Sequence, residues 1–151
     1  MNVVRNIIIL LFFQSFGIVF SQDADLLTGH WLNSEKTVQI EVFKKGNIFY
    51  GRVAWMIEPN NPDGSPKLDI KNPNIKNRKR KKLGLVVMHN FIFNENNKKW
   101  TGGTIYDPTT GTTYKGYMWF ESDTNTKLKM RGYAGFSIFG KTSEWTRVKK
   151  G

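Results

Sequence analysis

From Trp31 to Val148 the chain alternates apolar and polar residues in short runs separated by turn residues, the period-two signature of strands with one buried face. Eight runs emerge. The first surrounds Trp31. In the second, Thr37 to Phe43, Val38, Ile40 and Val42 alternate with Thr37, Gln39 and Glu41. The third, Ile48 to Met56, puts Phe49, Val53 and Trp55 on one face and Tyr50, Arg52 and Met56 on the other. The later runs are Leu85 to Phe93, Lys99 to Tyr106, Thr112 to Glu121, Lys127 to Tyr133 and Lys141 to Val148. No segment carries a 3.6-residue apolar period, so the pattern predicts an all-β barrel or sandwich.

The turns support this reading. Lys44-Lys45-Gly46-Asn47 is a hairpin signal, because Gly and Asn accept the positive φ of tight turns. In Asp107-Pro108-Thr109-Thr110-Gly111 the Asp can cap the turn, Pro fixes the next φ, and Gly supplies a left-handed exit. One segment interrupts the rhythm: Ile57 to Leu83 holds four of the five prolines, and a connection of that length covers a site or moves. Within it, Asn72-Pro73 reads as an N-cap followed by proline at the first helical position, predicting about two helical turns through Arg80.

Ahead of the strands, Arg5 precedes the apolar run Ile7 to Phe20, and Val19 and Ser21 occupy the small-residue positions before Gln22. That is the layout of a secretory signal peptide over residues 1–21, cut between Ser21 and Gln22, leaving a single domain over 22–151. The run is interrupted by Gln14 and Ser15 and is shorter than the roughly 20 apolar residues a membrane span requires. No other stretch is apolar enough to cross. With no cysteine, neither a lipidated N-terminal Cys nor a disulfide is available. A periplasmic or secreted protein is the expectation.

Composition then adds charge. The 151 residues contain 23 Lys+Arg against 12 Asp+Glu, a formal net charge of +11, with 39% hydrophobic and 14% aromatic residues. A chain this apolar can bury a core, which excludes intrinsic disorder. The excess of Lys and Arg favours anionic partners, although dispersed lysine also simply solvates a surface. It is most concentrated in Lys76-Asn77-Arg78-Lys79-Arg80-Lys81-Lys82, with six charges in seven residues. Nucleic-acid readers interleave aromatics for stacking and none lies in this run, so no nucleic acid is expected. Arg78, Lys79, Arg80, Lys81 and Lys82 are instead candidates for an anionic envelope surface.

Catalytic signatures are missing. There is no Gly-x-Ser-x-Gly and no Cys nucleophile, and the two histidines, His30 and His89, sit beside Trp31 and within an apolar run. A zinc site fails on ligand count and spacing, and nothing implies a cofactor. Asp69 and Asp107 are the carboxylate pair that a glycoside hydrolase would need, but Asp107 already has a role as a turn cap. The aromatic and sulfur-bearing residues Trp55, Trp100, Tyr114, Met118 and Met130, assigned to inward faces, are the stronger lead: they either fill a barrel or wall a pocket for a small, largely apolar or amphipathic molecule.

The landmarks Gly29-His30-Trp31, Tyr50-Gly51-Arg52 with Trp55, Asp69 with Asn72-Pro73, Arg80 with Gly84-Leu85, Trp100-Thr101-Gly102-Gly103 with Tyr106-Asp107-Pro108, Gly111 with Tyr114, Arg131-Gly132-Tyr133 and Trp145-Thr146-Arg147 assemble into a recognisable set. From Gly29 to Arg147 the chain resembles the secreted bacterial family catalogued as domain of unknown function 2147. The resemblance implies an eight-stranded, up-and-down antiparallel lipocalin-like β-barrel, with a long loop between strands three and four, and no established activity. It also implies that Trp31, in a Gly-x-Trp on the first strand, and Arg147 on the last stack to close one end. Lys79, Lys81 and Lys82 depart from the family's usual pattern by making the loop unusually basic.

Overall fold

The computed structural model describes residues 22–122, 124–135 and 140–149. The expected leader, residues 1–21, lies outside the described residues. A short helix, α1 (Gln22–Asp25), precedes eight strands: β1 (Gly29–Asn33), β2 (Val38–Lys45), β3 (Ile48–Met56), β4 (Val86–Asn94), β5 (Lys99–Asp107), β6 (Thr112–Phe120), β7 (Lys127–Tyr133) and β8 (Lys141–Val148). Each strand pairs with its sequence neighbours and β1 pairs with β8, so the sheet closes into an up-and-down antiparallel barrel with no free edge. The strands lie within one or two residues of the alternating runs. Gly46 takes a φ of 59° in the two-residue connection between Lys45 and Ile48.

One end of the barrel is plugged. Trp100 packs edge-on against Phe49 and Phe120 and tilts against Phe93, and Phe120 in turn meets Trp31. The α1 segment caps this layer: Leu27 is fully buried, and the carbonyls of Leu27 and Ala24 accept the indole N–H groups of Trp31 and Trp100 at 2.9 and 3.2 Å. Arg147, directly opposite Trp31 in the β1–β8 register, lays its guanidinium 4.2 Å from the Trp31 ring centroid. It also donates to the carbonyls of Thr28 and Asn125, both at 2.9 Å, and of Leu26. Burial lowers the pKa of Arg147, and these carbonyls with the indole face are what it receives in place of water.

The middle of the barrel is filled by large side chains that grow into space left by glycines. A Cβ at Gly51 would stand 2.6 Å from the Met88 sulfur, one at Gly103 2.4 Å from the Phe91 ring, and one at Gly116 2.7 Å from the Ile105 methyl. At the other end, β3 runs into the long connection and Asp107 to Gly111 turns between β5 and β6.

Two expectations are corrected here. In β3 the register shifts, with Ile40 facing Val53 while the adjacent Gln39 faces Trp55, so Ala54 is the extra residue of a β-bulge. The shift reverses the alternation: Met56 comes opposite Val38 and packs against the core, whereas Trp55 turns outward and is 39% exposed. The predicted two-turn helix after Asn72 is a single 3-10 turn, Ile75–Asn77, capped by Asn74, whose side chain accepts from the Lys76 amide. Asn72 Oδ1 accepts the Asn74 amide at 2.9 Å, before the turn begins, and its side-chain N–H donates to Asp69 at 2.7 Å.

Candidate functional site

At the unplugged end, the inner walls of β2, β3, β4 and β8 converge on an apolar cup of about 240 Å3. Val38, Ile40, Val53, Met56, Val87 and Trp145 form its walls, and Lys82, Asp107 and Thr109 stand among its polar residues. The β-bulge at Ala54 is what delivers Met56 to this cup. Trp145 is held by an indole hydrogen bond to the Ser143 hydroxyl at 2.9 Å. The arrangement, large apolar walls with a few polar tips, is the form of a small-molecule site, though smaller than the roughly 300–1,000 Å3 usual for drug-sized ligands.

The long loop reaches this mouth as an ordered excursion. Leu68 bridges to Lys81, the Asp69 amide donates to the Arg80 carbonyl at 2.9 Å, and Lys82 lands on the cup. Asp69 fastens the loop to the barrel. It is fully buried, accepting the Tyr106 hydroxyl on Oδ1 at 2.6 Å and the Asn72 amide on Oδ2 at 2.7 Å. Burial and the neighbouring carboxylate push the Tyr106 pKa up to about 12. A second fastening lies next to it: Gly111, at φ +77°, brings its Cα so close to Lys71 that a Cβ would fall 2.1 Å from the Lys71 carbonyl oxygen.

The residues named from sequence distribute unevenly over this geometry. Trp100, Met118 and Met130 are buried in the filled layers, with Met118 opposite both Trp100 and Met130 in the register. Tyr114 is half-buried opposite Ile105, near Gly132. Trp55 lies on the outer wall, in a groove with His30, Gln39, Glu41 and Arg52. The cup's own walls are aliphatic residues plus Trp145, and in sequence they look the same as core. Only their convergence at the unfilled end marks them.

Asp69 and Asp107 do not form a free carboxylate pair. Both Asp69 oxygens are engaged, and Asp107 caps its turn by accepting the Thr109 amide at 2.8 Å and the Thr110 hydroxyl at 3.0 Å. His89 shares Nε2 with the Val86 carbonyl at 3.1 Å, and His30 Nδ1 is buried without a hydrogen-bond partner among the described residues. No cluster of three metal-ligating side chains occurs among the described residues. The basic run reaches the cup through Lys82. Lys76, Arg78, Lys79, Arg80, Lys81 and Lys82 make no ion pair among the described residues, whereas Lys44, Lys67, Lys98, Lys127 and Lys129 are all paired with carboxylates.

A family model described as an uncharacterized protein conserved in bacteria, domain of unknown function 2147, matches residues 29–147. Among solved structures the chain is similar to protein HP1028 of the human pathogen Helicobacter pylori, described as belonging to the lipocalin family. The two are 26% identical over 82% of this chain and 83% of that one, with a TM-score of 0.67. No curated protein sequence matches the chain.

Proposed function

The chain belongs to the bacterial family called domain of unknown function 2147, and on that premise we propose that it is a non-enzymatic, secreted or periplasmic barrel that binds a small, largely apolar ligand. The observation that carries this reading is the cup: about 240 Å3 stays open behind Val38, Ile40, Val53, Met56, Val87 and Trp145. Lys82 at its edge suits a ligand with one anionic end. The secretory address rests on the leader pattern of residues 1–21, and N-terminal sequencing of the exported protein should begin at Gln22.

Calorimetric titration with octanoate and with octanol tests the site. Both should bind the intact protein, Val38→Phe should weaken both by filling the cup, and Lys82→Gln should weaken octanoate alone. Binding of neither, at concentrations below those that form micelles, would remove the reading.

A second reading has its own support. The unpaired cations Arg78, Lys79, Arg80, Lys81 and Lys82 suit an anionic envelope surface, which the protein would bind with a salt-dependent affinity. Replacing the five with Ser should abolish that binding and spare the fold. A carboxylate-dependent hydrolase is third, because both Asp69 oxygens already accept structural hydrogen bonds and an Asp69→Asn variant would be expected to lose stability before any activity.

A further inference from the structure

The long loop carries, besides its cations, most of the large apolar side chains that the described residues leave in water. Ile57 is 60% exposed, Ile70 62%, Ile75 74% and Leu83 44%; only Trp55 and Ile92 join them from the rest of the described residues. Ile70 lies within the fastened turn from Asp69 to Asn72 and Ile75 opens the 3-10 turn after it, and the backbone ties them to the basic run. The amide of Asp69 bonds to Arg80, the amide of Arg78 to Ile75, and the Arg78 guanidinium to the Asn72 carbonyl at 2.8 Å. Exposed isoleucine and unpaired Lys and Arg thus share one ordered platform. Below it, a groove of about 590 Å3 between the loop and the outer wall is lined by Arg80, Lys81, Asn72, Asn77, His89 and Thr113, with no carboxylate among its lining residues.

Exposed isoleucines and cations that pair with no carboxylate among the described residues occur together on this loop. The two features together match one kind of surface, an anionic lipid bilayer, where cations meet phosphate headgroups and short apolar side chains enter the acyl boundary. We propose that the loop between β3 and β4 is a membrane-docking platform, with Ile70 and Ile75 inserted into an anionic bilayer and Arg78 to Lys82 on its phosphates. This rests on the second reading above and narrows it to lipid. Because Lys82 lies on both the basic run and the cup, docking sets the barrel mouth at the membrane surface, where an amphipathic molecule would enter or leave.

The test is vesicle flotation with the full mature chain, using phosphatidylcholine alone or with about one-third phosphatidylglycerol. The protein should float only with the anionic vesicles, and each of Arg80→Gln and Lys81→Gln should weaken binding about fivefold. Ile70→Ser and Ile75→Ser should each weaken it about tenfold, with circular dichroism unchanged because both side chains are exposed. The chain has no cysteine, so Ile75→Cys labelled with an environment-sensitive fluorophore reports insertion directly, and its emission should shift to the blue on anionic vesicles. Failure of the chain to bind anionic vesicles at low salt would overturn the second reading and this inference together. Salt-dependent binding that is indifferent to Ile70 and Ile75, with no blue shift, would overturn insertion alone. Tighter binding to soluble polyphosphate, equally indifferent to the isoleucines, would assign the platform to a polymer and also overturn it.

Discussion

Tyr106 on β5 donates its hydroxyl to the buried Asp69 carboxylate at 2.6 Å, and this side-chain bond helps to fasten the long loop to the barrel wall beside the cup. Removing the donor leaves a buried carboxylate short of a partner, at a cost of about 1–3 kcal/mol. Tyr106→Phe should therefore lower the denaturation midpoint. The same bond makes stability depend on alkaline pH. Because the folded Tyr106 pKa lies at about 12, above the ordinary tyrosine value of 10.0, the folded state holds the proton more tightly than the unfolded state. The contribution is complete below pH 10 and is lost as pH rises through about 12. Urea titrations across that window should show a fall that Tyr106→Phe reduces; an identical slope in the variant would put Tyr106 outside the linkage.

Arg147 and Trp31 close the plugged end. Arg147→Ala forfeits the stack at 4.2 Å together with three hydrogen bonds to carbonyls that are then left without this donor. A loss of about 2 kcal/mol is expected, roughly 5–10 °C in Tm. Lysine lacks the planar fork, so Arg147→Lys should not rescue it. Differential scanning calorimetry decides, and a Tm unchanged in both variants would contradict a closing role.

The filled middle predicts that added methyl groups are harmful where glycine makes room. At Gly103 a Cβ meets the Phe91 ring at 2.4 Å and the His89 carbonyl at 2.5 Å, so Gly103→Ala should destabilise by about 1–3 kcal/mol in chemical denaturation. A neutral result would mean that the mid-barrel layer is loosely packed.

Trp55 and Trp100 should separate cleanly. Trp100→Ala removes a buried indole packed on Phe49, Phe93 and Phe120 and is expected to cost about 3–5 kcal/mol. Trp55→Ser, on the outer wall, should stay within about 1 kcal/mol. Similar losses in the two would return Trp55 to the interior and remove the bulge at Ala54.

These two tryptophans also mark what the sequence could and could not disclose. Strand existence, hairpin connections and the Asp107 cap were legible because alternation and turn chemistry are local. The inward side of Trp55 was not, since one inserted residue reverses every side chain after it and nothing in Val53-Ala54-Trp55-Met56 announces the bulge. The helix expected after Asn72 shortens to the one turn Ile75–Asn77, and the ties around it are nonlocal: Asn72 donates to Asp69, which accepts from Tyr106 on a distant strand. Aromatics are the visible candidates for pocket walls in a sequence, and Trp100 is buried against other rings, while the cup is walled mostly by Val, Ile and Met that have no chemical label in a sequence.

Native mass spectrometry of the mature protein, purified gently from its own bacterium, tests the central claim most directly, with organic extraction of the same sample. A stoichiometric small amphipathic guest is predicted, lost on extraction and absent from a Val38→Phe variant whose cup is filled. A reproducibly guest-free protein that also refuses octanoate would contradict ligand binding in the barrel and leave the basic loop as the functional surface.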